Sequence, residues 1–113
     1  MHEYSIVQAL VERVDAEVKS RHATSVQRLS IRIGELSGVD PDLLTTAYNI
    51  FRERTVCERA ELDLTIVPAR WTCERCSRPI GPGSLLKCEA CGVPARLAEG
   101  DEIMLDRIEM EVP

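Results

Sequence analysis

The sequence is poor in aromatic residues and has no long apolar segment. Its 113 residues include one tryptophan, one phenylalanine and two tyrosines. No stretch approaches the roughly 18 consecutive apolar residues that a membrane-spanning helix needs. The N-terminal region also lacks the basic segment followed by an apolar run that marks a secretory signal. We therefore expect a cytoplasmic protein without a membrane span.

Basic residues are also in deficit. The chain has 14 lysines and arginines against 19 aspartates and glutamates, which gives a formal net charge of −5 at pH 7. A surface of this sign repels phosphate backbones, so generic nucleic-acid binding is not expected. The apolar fraction of 44% and the charged fraction of 29% are typical of a globular chain. A chain of this length has room for one compact core.

Hydrophobic periodicity predicts two helices. Between Glu3 and Arg21 the apolar residues recur at a helical spacing, which is the pattern of an amphipathic helix. Asp40 followed by Pro41 predicts an N-cap with proline at the first helical position. The second helix then continues to about Arg54.

Period-two alternation predicts three strands, at residues 26–36, at 62–66 and after Asp101. In the last strand the alternation slips near Asp106, which indicates a bulge or a register shift. The first two strands flank a helix and should therefore be parallel, with a right-handed crossover. The predicted fold is α+β, with two helices on a three-stranded mixed sheet and a cysteine-rich insertion between its second and third strands.

Four of the five cysteines form two Cys-x-x-Cys pairs, Cys73 with Cys76 and Cys88 with Cys91. Two such pairs complete a tetrahedron of soft thiolates, which predicts structural Zn(II) in a closed zinc-ribbon site. The alternative is a pair of redox motifs, but neither pair opens a periodic helix as that reading requires. The insertion has little apolar mass, so its folding should depend on the metal. Cys57 lies outside both pairs and is interpreted as a small, semi-buried residue.

The sequence Met1-His2-Glu3 offers a second set of metal ligands. A terminal amine, the His2 backbone nitrogen and the His2 imidazole lie close enough to chelate one ion, and nitrogen donors favour Ni(II) or Cu(II). The positive end of the first helix opposes a cation, so Glu3 must offset it, and binding should be exchangeable and pH-dependent. On these residues alone, His2 as a solvated terminus and Asp40 as a helix cap remain alternatives.

Taken together, these motifs resemble the HypA/HybF family of hydrogenase-maturation nickel metallochaperones over essentially the whole chain. The resemblance rests on Met1-His2-Glu3 opening a helix, the segment 34–41 before the second helix, the exit 67–69 and the two cysteine pairs. It implies transient binding of Ni(II) as cargo, cooperation with a HypB-type GTPase, and delivery to the precursor of a [NiFe]-hydrogenase large subunit.

The resemblance also implies site residues. His2 matches the nickel histidine, with Met1 and Glu3 beside it and Asp40 as a secondary candidate ligand. The four paired cysteines, Cys73, Cys76, Cys88 and Cys91, match the ligands of structural Zn(II). The composition shift after Pro68 divides the chain into a nickel-binding α/β domain of residues 1–68 plus 101–113 and a zinc-binding domain of residues 69–100. No histidine flanks either cysteine pair, so an exchange between cysteine and histidine at zinc is not expected.

Two other classes of function are alternatives to a metallochaperone. A zinc-ribbon adaptor or regulatory protein would bind a partner without delivering metal. An enzyme would need a nucleophile beside a base, a phosphate-binding glycine loop or an open zinc position, and the sequence offers none of these. We therefore expect a non-enzymatic protein with no catalytic residues. A homodimer remains open.

Overall fold

The computed structural model describes residues 2–81 and 85–113, which form two helices and two three-stranded sheets. Met1 and residues 82–84 lie outside this description. The elements in chain order are α1 (His2–Arg21), β1 (Ser25–Gly34), α2 (Pro41–Phe51), β2 (Glu61–Val67), β3 (Arg70–Cys73), β4 (Pro79–Ile80), β5 (Ala95–Glu99) and β6 (Ile103–Glu111). Among these described elements, no helix combines the length and the apolar character that a membrane span needs.

The first sheet has the strand order β2-β1-β6, with β1 parallel to β2 and antiparallel to β6. This confirms the predicted mixed sheet and the parallel pairing of the first two strands. In the pairing of β1 with β6, Ser30 lies opposite Arg107 and Ile31 lies opposite Leu105. Asp106 is therefore an extra residue in β6, which confirms the irregularity predicted there.

The hydrophobic core lies between one face of this sheet and the two helices. Side chains alternate along a strand, so every second residue of β1 turns toward the helices. The buried hydrophobic residues from the three elements are Val26, Leu29, Ile31 and Ile33 of β1, Val7, Val11 and Val14 of α1, and Leu44, Ala47 and Tyr48 of α2. Complete burial of each aliphatic side chain contributes about 1.5–3 kcal/mol.

The turn after α2 closes one end of the core. Tyr48 donates a hydrogen bond from its hydroxyl to the Ala60 carbonyl at 2.8 Å, and Arg52 donates to the same oxygen at 2.9 Å. Cys57 has no exposed surface, so its assignment as semi-buried was wrong. It packs in the core beside Tyr48, and burial raises the pKa of its thiol to about 11, so this thiol is protonated at neutral pH.

The second sheet has the order β4-β3-β5 and lies within the cysteine-rich insertion. Its strands were not predicted, because segments of 4, 2 and 5 residues are too short to display a clear period. Among the described residues of 70–99, the fully buried ones are Thr72, Cys73 and Cys88. This sheet therefore has no aliphatic core comparable to that of the first sheet.

The molecule is elongated. Its radius of gyration is 18.0 Å and its longest extent is 55 Å. A compact chain of this length would have a radius of gyration of about 13 Å. The additional length is consistent with two sheets that have separate interiors.

The two sheets meet where the end of β1 crosses the segment between β5 and β6. The backbone N–H of Gly34 donates to the Glu102 carbonyl at 2.7 Å, and that of Leu36 donates to the Gly100 carbonyl at 2.7 Å. The Glu35 carboxylate accepts a hydrogen bond from the backbone N–H of Ala69 at 2.8 Å. These bonds tie both connections of the insertion to the end of β1.

An ion pair reinforces this junction. Glu99, the last residue of β5, lies 2.8 Å from Arg70 and 3.9 Å from Arg32 of the first sheet. The hydrogen bond from Arg70 lowers the pKa of the Glu99 carboxyl. The three side chains remain partly exposed, so their contribution to stability is small compared with that of the backbone contacts.

The close approach of Gly34 to Gly100 gives a test of the junction. A Cβ atom on Gly34 would lie 2.3 Å from both the carbonyl carbon and the oxygen of Gly100. We expect Gly34→Ala to force the two backbones apart and to lower the free energy of unfolding by about 2–3 kcal/mol. Gly81→Ala is the matched control, because nothing lies within 4 Å of its added Cβ. Thermal unfolding followed by circular dichroism measures both, and equal stabilities would contradict the junction.

Candidate metal sites

The two cysteine pairs form turns with the same backbone hydrogen bond. The N–H of Ser77 donates to the Cys73 carbonyl at 2.9 Å, and the N–H of Gly92 donates to the Cys88 carbonyl at 2.8 Å. Ser77 and Gly92 both have a positive φ, of 62° and 69° respectively. The residue after each pair therefore reverses the chain and brings both of its sulfurs to one side.

The sulfur atoms of the two turns converge on one point. The Sγ atoms of Cys73, Cys76, Cys88 and Cys91 all lie within 4.8 Å of one another. Cys76 Sγ lies 3.9 Å from Cys88 Sγ. A tetrahedral zinc site with Zn–S bonds of about 2.3 Å requires sulfur separations of about 3.8 Å. The cluster is therefore compatible with zinc binding.

Backbone N–H groups support the sulfurs. Cys73 Sγ accepts hydrogen bonds from the N–H groups of Arg75 and Cys76 at 3.3 and 3.4 Å. Cys88 Sγ accepts one from the N–H of Cys91 at 3.4 Å. Such donors favour the thiolate form, which is the form that ligates metal.

The pKa values of the Cys73 and Cys91 thiols also fit a cation-binding cluster. The backbone N–H of Cys76 lowers the pKa of the Cys73 thiol to about 6, against the opposing effect of burial. The hydrogen bond with the Cys76 side chain and burial raise the pKa of the Cys91 thiol to about 12. The metal-free cluster thus has one readily ionised sulfur and another that retains its proton. A divalent cation would remove the repulsion that prevents all four sulfurs from ionising together.

The geometry also separates this cluster from a redox motif. Neither cysteine pair begins a helix among the described residues, whereas a thioredoxin-like pair lies at a helix start. The contact of 3.9 Å between Cys76 Sγ and Cys88 Sγ, which belong to different pairs, joins the two turns into one cluster. The arrangement favours a single four-sulfur site over two independent dithiols.

The N-terminal residues lie beside the start of α2. Glu3 Oε2 accepts a hydrogen bond from the Asp40 backbone N–H at 3.3 Å and lies 4.0 Å from His2 Nδ1. The His2 side chain is 66% exposed, whereas that of Glu3 is 11% exposed. Tertiary folding thus places Glu3 against both His2 and the Asp40 backbone, whereas among the described residues the four cysteines alone bring three or more candidate ligand atoms close enough for one ion. Met1, the fourth predicted nickel residue, lies outside the described residues.

Asp40 caps α2 as the sequence predicts. Its Oδ1 accepts hydrogen bonds from the N–H groups of Asp42 at 2.9 Å and Leu43 at 3.3 Å, and Pro41 occupies the first turn. A carboxylate with this role is held in a fixed position by the helix. A role of Asp40 as a nickel ligand stays a prediction.

Glu3 lies where the two helices begin. Its carboxylate belongs to the first turn of α1 and also contacts the N-cap residue of α2. The partial positive charge at the start of each helix stabilises this carboxylate. The sequence indicated the effect of α1 but contained no signal that α2 would begin beside the same residue.

Ser37 is a positioning residue that the sequence reasoning did not single out. Its Oγ accepts a hydrogen bond from the Val39 N–H at 3.2 Å, one residue before Asp40. A serine side chain that accepts a hydrogen bond from the backbone N–H two residues later is a common local motif, so this contact could have been predicted from the sequence. It shapes the loop that leads from the end of β1 to Asp40, whose backbone contacts Glu3.

Comparison with known proteins gives one consistent family. A family model described as "Hydrogenase/urease nickel incorporation, metallochaperone, hypA" matches residues 1–110. The hydrogenase maturation factor HypA of Aquifex aeolicus is 37% identical, with 99% of each chain covered. That of Wolinella succinogenes is 38% identical, with 98% of this chain and 96% of the relative covered.

Solved structures agree with these sequence matches. The solution structure of the Ni metallochaperone HypA from Helicobacter pylori is 31% identical over 98% of both chains, with a TM-score of 0.74. A second solution structure, described as a HypA protein, is 33% identical, with a TM-score of 0.82 and coverage of 97% and 96%. The resemblance therefore extends over both sheets.

The matched turns of the cysteine cluster generate a prediction. Ser77 has the left-handed conformation that glycine adopts without strain, so Ser77→Gly should stabilise the zinc-loaded protein by about 0.5–1 kcal/mol. Gly92→Ser should destabilise it by a similar amount, and nothing lies within 4 Å of the added Cβ to obscure the effect. Thermal unfolding in excess zinc measures both. Shifts of the same sign would contradict the proposed equivalence of the two turns.

Proposed function

Since the chain belongs to the HypA family of nickel metallochaperones, we propose that its N-terminus binds Ni(II) and releases it during maturation of a [NiFe]-hydrogenase. The proposed ligands are the imidazole of His2 and nitrogen donors at Met1 and His2, with oxygen from Glu3 or Asp40. The observation that carries this proposal is the position of Glu3 between the His2 ring and the Asp40 backbone.

The exposure of the His2 side chain supports a carrier function. His2 is largely exposed at the first position of α1, so ligands of a receiving protein can replace its own one at a time. The carboxylate of Glu3 offsets the positive end of the helix, which would otherwise repel a cation. Nitrogen donors bind Cu(II) at least as tightly as Ni(II), so selection of nickel depends on metal availability and on the partner.

The cysteine cluster has a different proposed role. Cys73, Cys76, Cys88 and Cys91 would hold Zn(II) with no position left for a substrate. When bound, Zn(II) supplies a structural cross-link between the two turns. Because the buried residues of this sheet are few, the cross-link would replace the missing core.

The proposed partners are a HypB-type GTPase and the hydrogenase large-subunit precursor. A protein that transfers an ion by ligand replacement has no need of a catalytic nucleophile, so we propose a carrier and not an enzyme. The competing function is a zinc-ribbon adaptor that binds a partner without nickel. The two differ in one observable, because only the carrier requires His2.

Nickel titration calorimetry separates these functions. The zinc-loaded, untagged protein should bind Ni(II), and His2→Ala should weaken binding by about ten-fold or more. Extension of the chain by a few residues before Met1 should weaken it similarly, because the terminal amine is displaced. His22→Asn is the matched control: it removes the one other imidazole and tolerates the φ of 53° at that position. Equal nickel affinity of all four proteins would contradict the terminal site and favour the adaptor.

A second experiment separates the two metals. Cys73→Ala should abolish stoichiometric zinc binding and unfold the second sheet, because three ligands cannot close the cluster. The first sheet has its own core, so nickel affinity should remain within about three-fold of the parent value. Cys57→Ala, which removes the cysteine outside the cluster, should retain zinc. Metal analysis and nickel calorimetry measure the outcomes, and equal loss of both metals from Cys73→Ala would show one coupled site.

A further inference from the structure

β6 is an edge strand that pairs with β1 alone among the described strands. Along such a strand, the backbone groups of successive residues point alternately toward one neighbouring strand and away from it. The Glu102 carbonyl accepts a hydrogen bond from Gly34, so it points toward β1. At the other end, the Glu111 carbonyl accepts one from Thr24 and also points toward β1. The backbone groups that point away from β1 are therefore those of Ile103, Leu105, Ile108 and Met110.

The same four residues carry apolar side chains on the helix face of the sheet. Residues opposite one another on adjacent strands share a face. The four residues lie opposite the buried residues Ile33, Ile31, Leu29 and Val26 of β1. The outer edge of β6 therefore offers unpaired backbone groups and apolar side chains at the same positions.

A groove runs between α1 and this edge as two adjoining cavities. One cavity has a volume of about 180 Å³ and is lined by Ile6, Ala9 and Leu10 of α1 and by Ile103. The other has a volume of about 420 Å³, and its apolar lining includes Ile108, Met110 and Val112. Arg13 and Leu105 line both cavities, so they mark the middle of the groove.

The charge of the groove is opposite in sign to that of the chain. Its charged lining residues are Arg13, Arg21, Arg107, Glu17 and Asp106, whereas the whole chain has a net charge of −5. Arg21 lies 3.3 Å from Glu17 and is paired. Arg13 forms no ion pair with any residue that the structure describes. The middle of the groove therefore suits a carboxylate, with an apolar cavity on each side of it.

β1 shows which kind of strand fits against β6. Its residues Leu29, Ile31 and Ile33 alternate regularly and face the apolar residues of β6, although Asp106 adds one residue to β6 between them. A regular strand on the outer side can likewise direct three alternate side chains to the helix face. Those three side chains would enter the first cavity, the middle of the groove and the second cavity.

We propose that the groove binds an extended segment of a partner protein as a fourth strand, antiparallel to β6, with the sequence pattern apolar-x-acidic-x-apolar. The acidic side chain lies opposite Leu105 and pairs with Arg13, and the two apolar side chains occupy the two cavities. The backbone of the segment bonds to the outward groups of β6, as in other cases of strand addition. None of the predicted nickel ligands takes part, so this inference stands or falls separately from the nickel function.

Fluorescence anisotropy with a synthetic peptide tests the proposal. The probe is a labelled nine-residue peptide with the central sequence Val-Thr-Glu-Thr-Val, titrated with the full-length, zinc-loaded chain. N-methylation of the two valines and the glutamate removes the donors that face β6 and should weaken binding about ten-fold or more. N-methylation of the two threonines, whose N–H groups face away, is the matched control and should leave binding within about three-fold.

A double-mutant cycle tests the contact with Arg13. Arg13→Gln should raise the dissociation constant of the glutamate peptide about three-fold, because an exposed ion pair is lost. The same variant should leave unchanged the weaker binding of a peptide with glutamine in place of glutamate. Arg96→Gln, at an exposed position of β5, makes the same change in charge and should not affect either peptide.

Amide hydrogen exchange measured by NMR locates the binding site. The outward N–H groups of Leu105 and Ile108 should exchange more slowly when the peptide is bound, whereas that of Met104, which points toward β1, should not change. Absence of binding, equal effects of Arg13→Gln on both peptides, or equal effects of the two N-methylation patterns would each overturn the proposal. Protection of the outward N–H groups by a rise in protein concentration alone would also overturn it, because a second copy would then be the occupant.

Discussion

The pairing of β1 with a strand on each side is the constraint on which the rest of the structure depends. Its register with β2 and β6 fixes the first sheet, and its buried face receives both helices. Because side chains alternate, the same register leaves Arg28 on the open face, within 3.0–3.6 Å of Glu61, Asp63 and Glu109. The end of β1 at Gly34 then forms the contact with the insertion. One strand therefore positions the core, the junction and the loop that leads to α2.

The loop between β1 and α2 connects the second sheet to the start of the two helices through hydrogen bonds between carboxylates and backbone N–H groups. At its start, the Glu35 carboxylate holds the backbone of Ala69 at the entry to the second sheet. At its end, the Asp40 backbone holds the Glu3 carboxylate, where the positive ends of two helices meet. Burial of an acidic side chain is costly unless such donors compensate it. The fold satisfies Glu3 and at the same time leaves its neighbour His2 in water.

The two candidate metal sites contrast in exposure and in donor chemistry. The sulfur cluster lies between two reversing turns, with Cys73 and Cys88 buried and Cys76 exposed, and backbone N–H groups support the sulfurs of Cys73 and Cys88. His2 and Glu3 offer nitrogen and oxygen donors on the first turn of α1, and the His2 imidazole is mostly exposed to solvent. Soft, closed sites retain an ion as part of the fold, whereas open sites of mixed donors exchange it. This contrast is the physical basis of the proposed division between structural zinc and nickel cargo.

The amino-acid sequence by itself determined the helices, the mixed sheet, the cap at Asp40, the bulge at Asp106 and the spacing of the four paired cysteines. Each of these features follows from a local pattern of periodicity, capping or spacing. Their joint order along the chain was specific enough to indicate the family. Only the tertiary structure decided that Glu3 contacts Asp40, that Cys57 is fully buried, that short strands surround the cysteine turns, and that Gly34 meets Gly100. These features join residues far apart in the chain, and local periodicity contains no information about which distant segments come into contact.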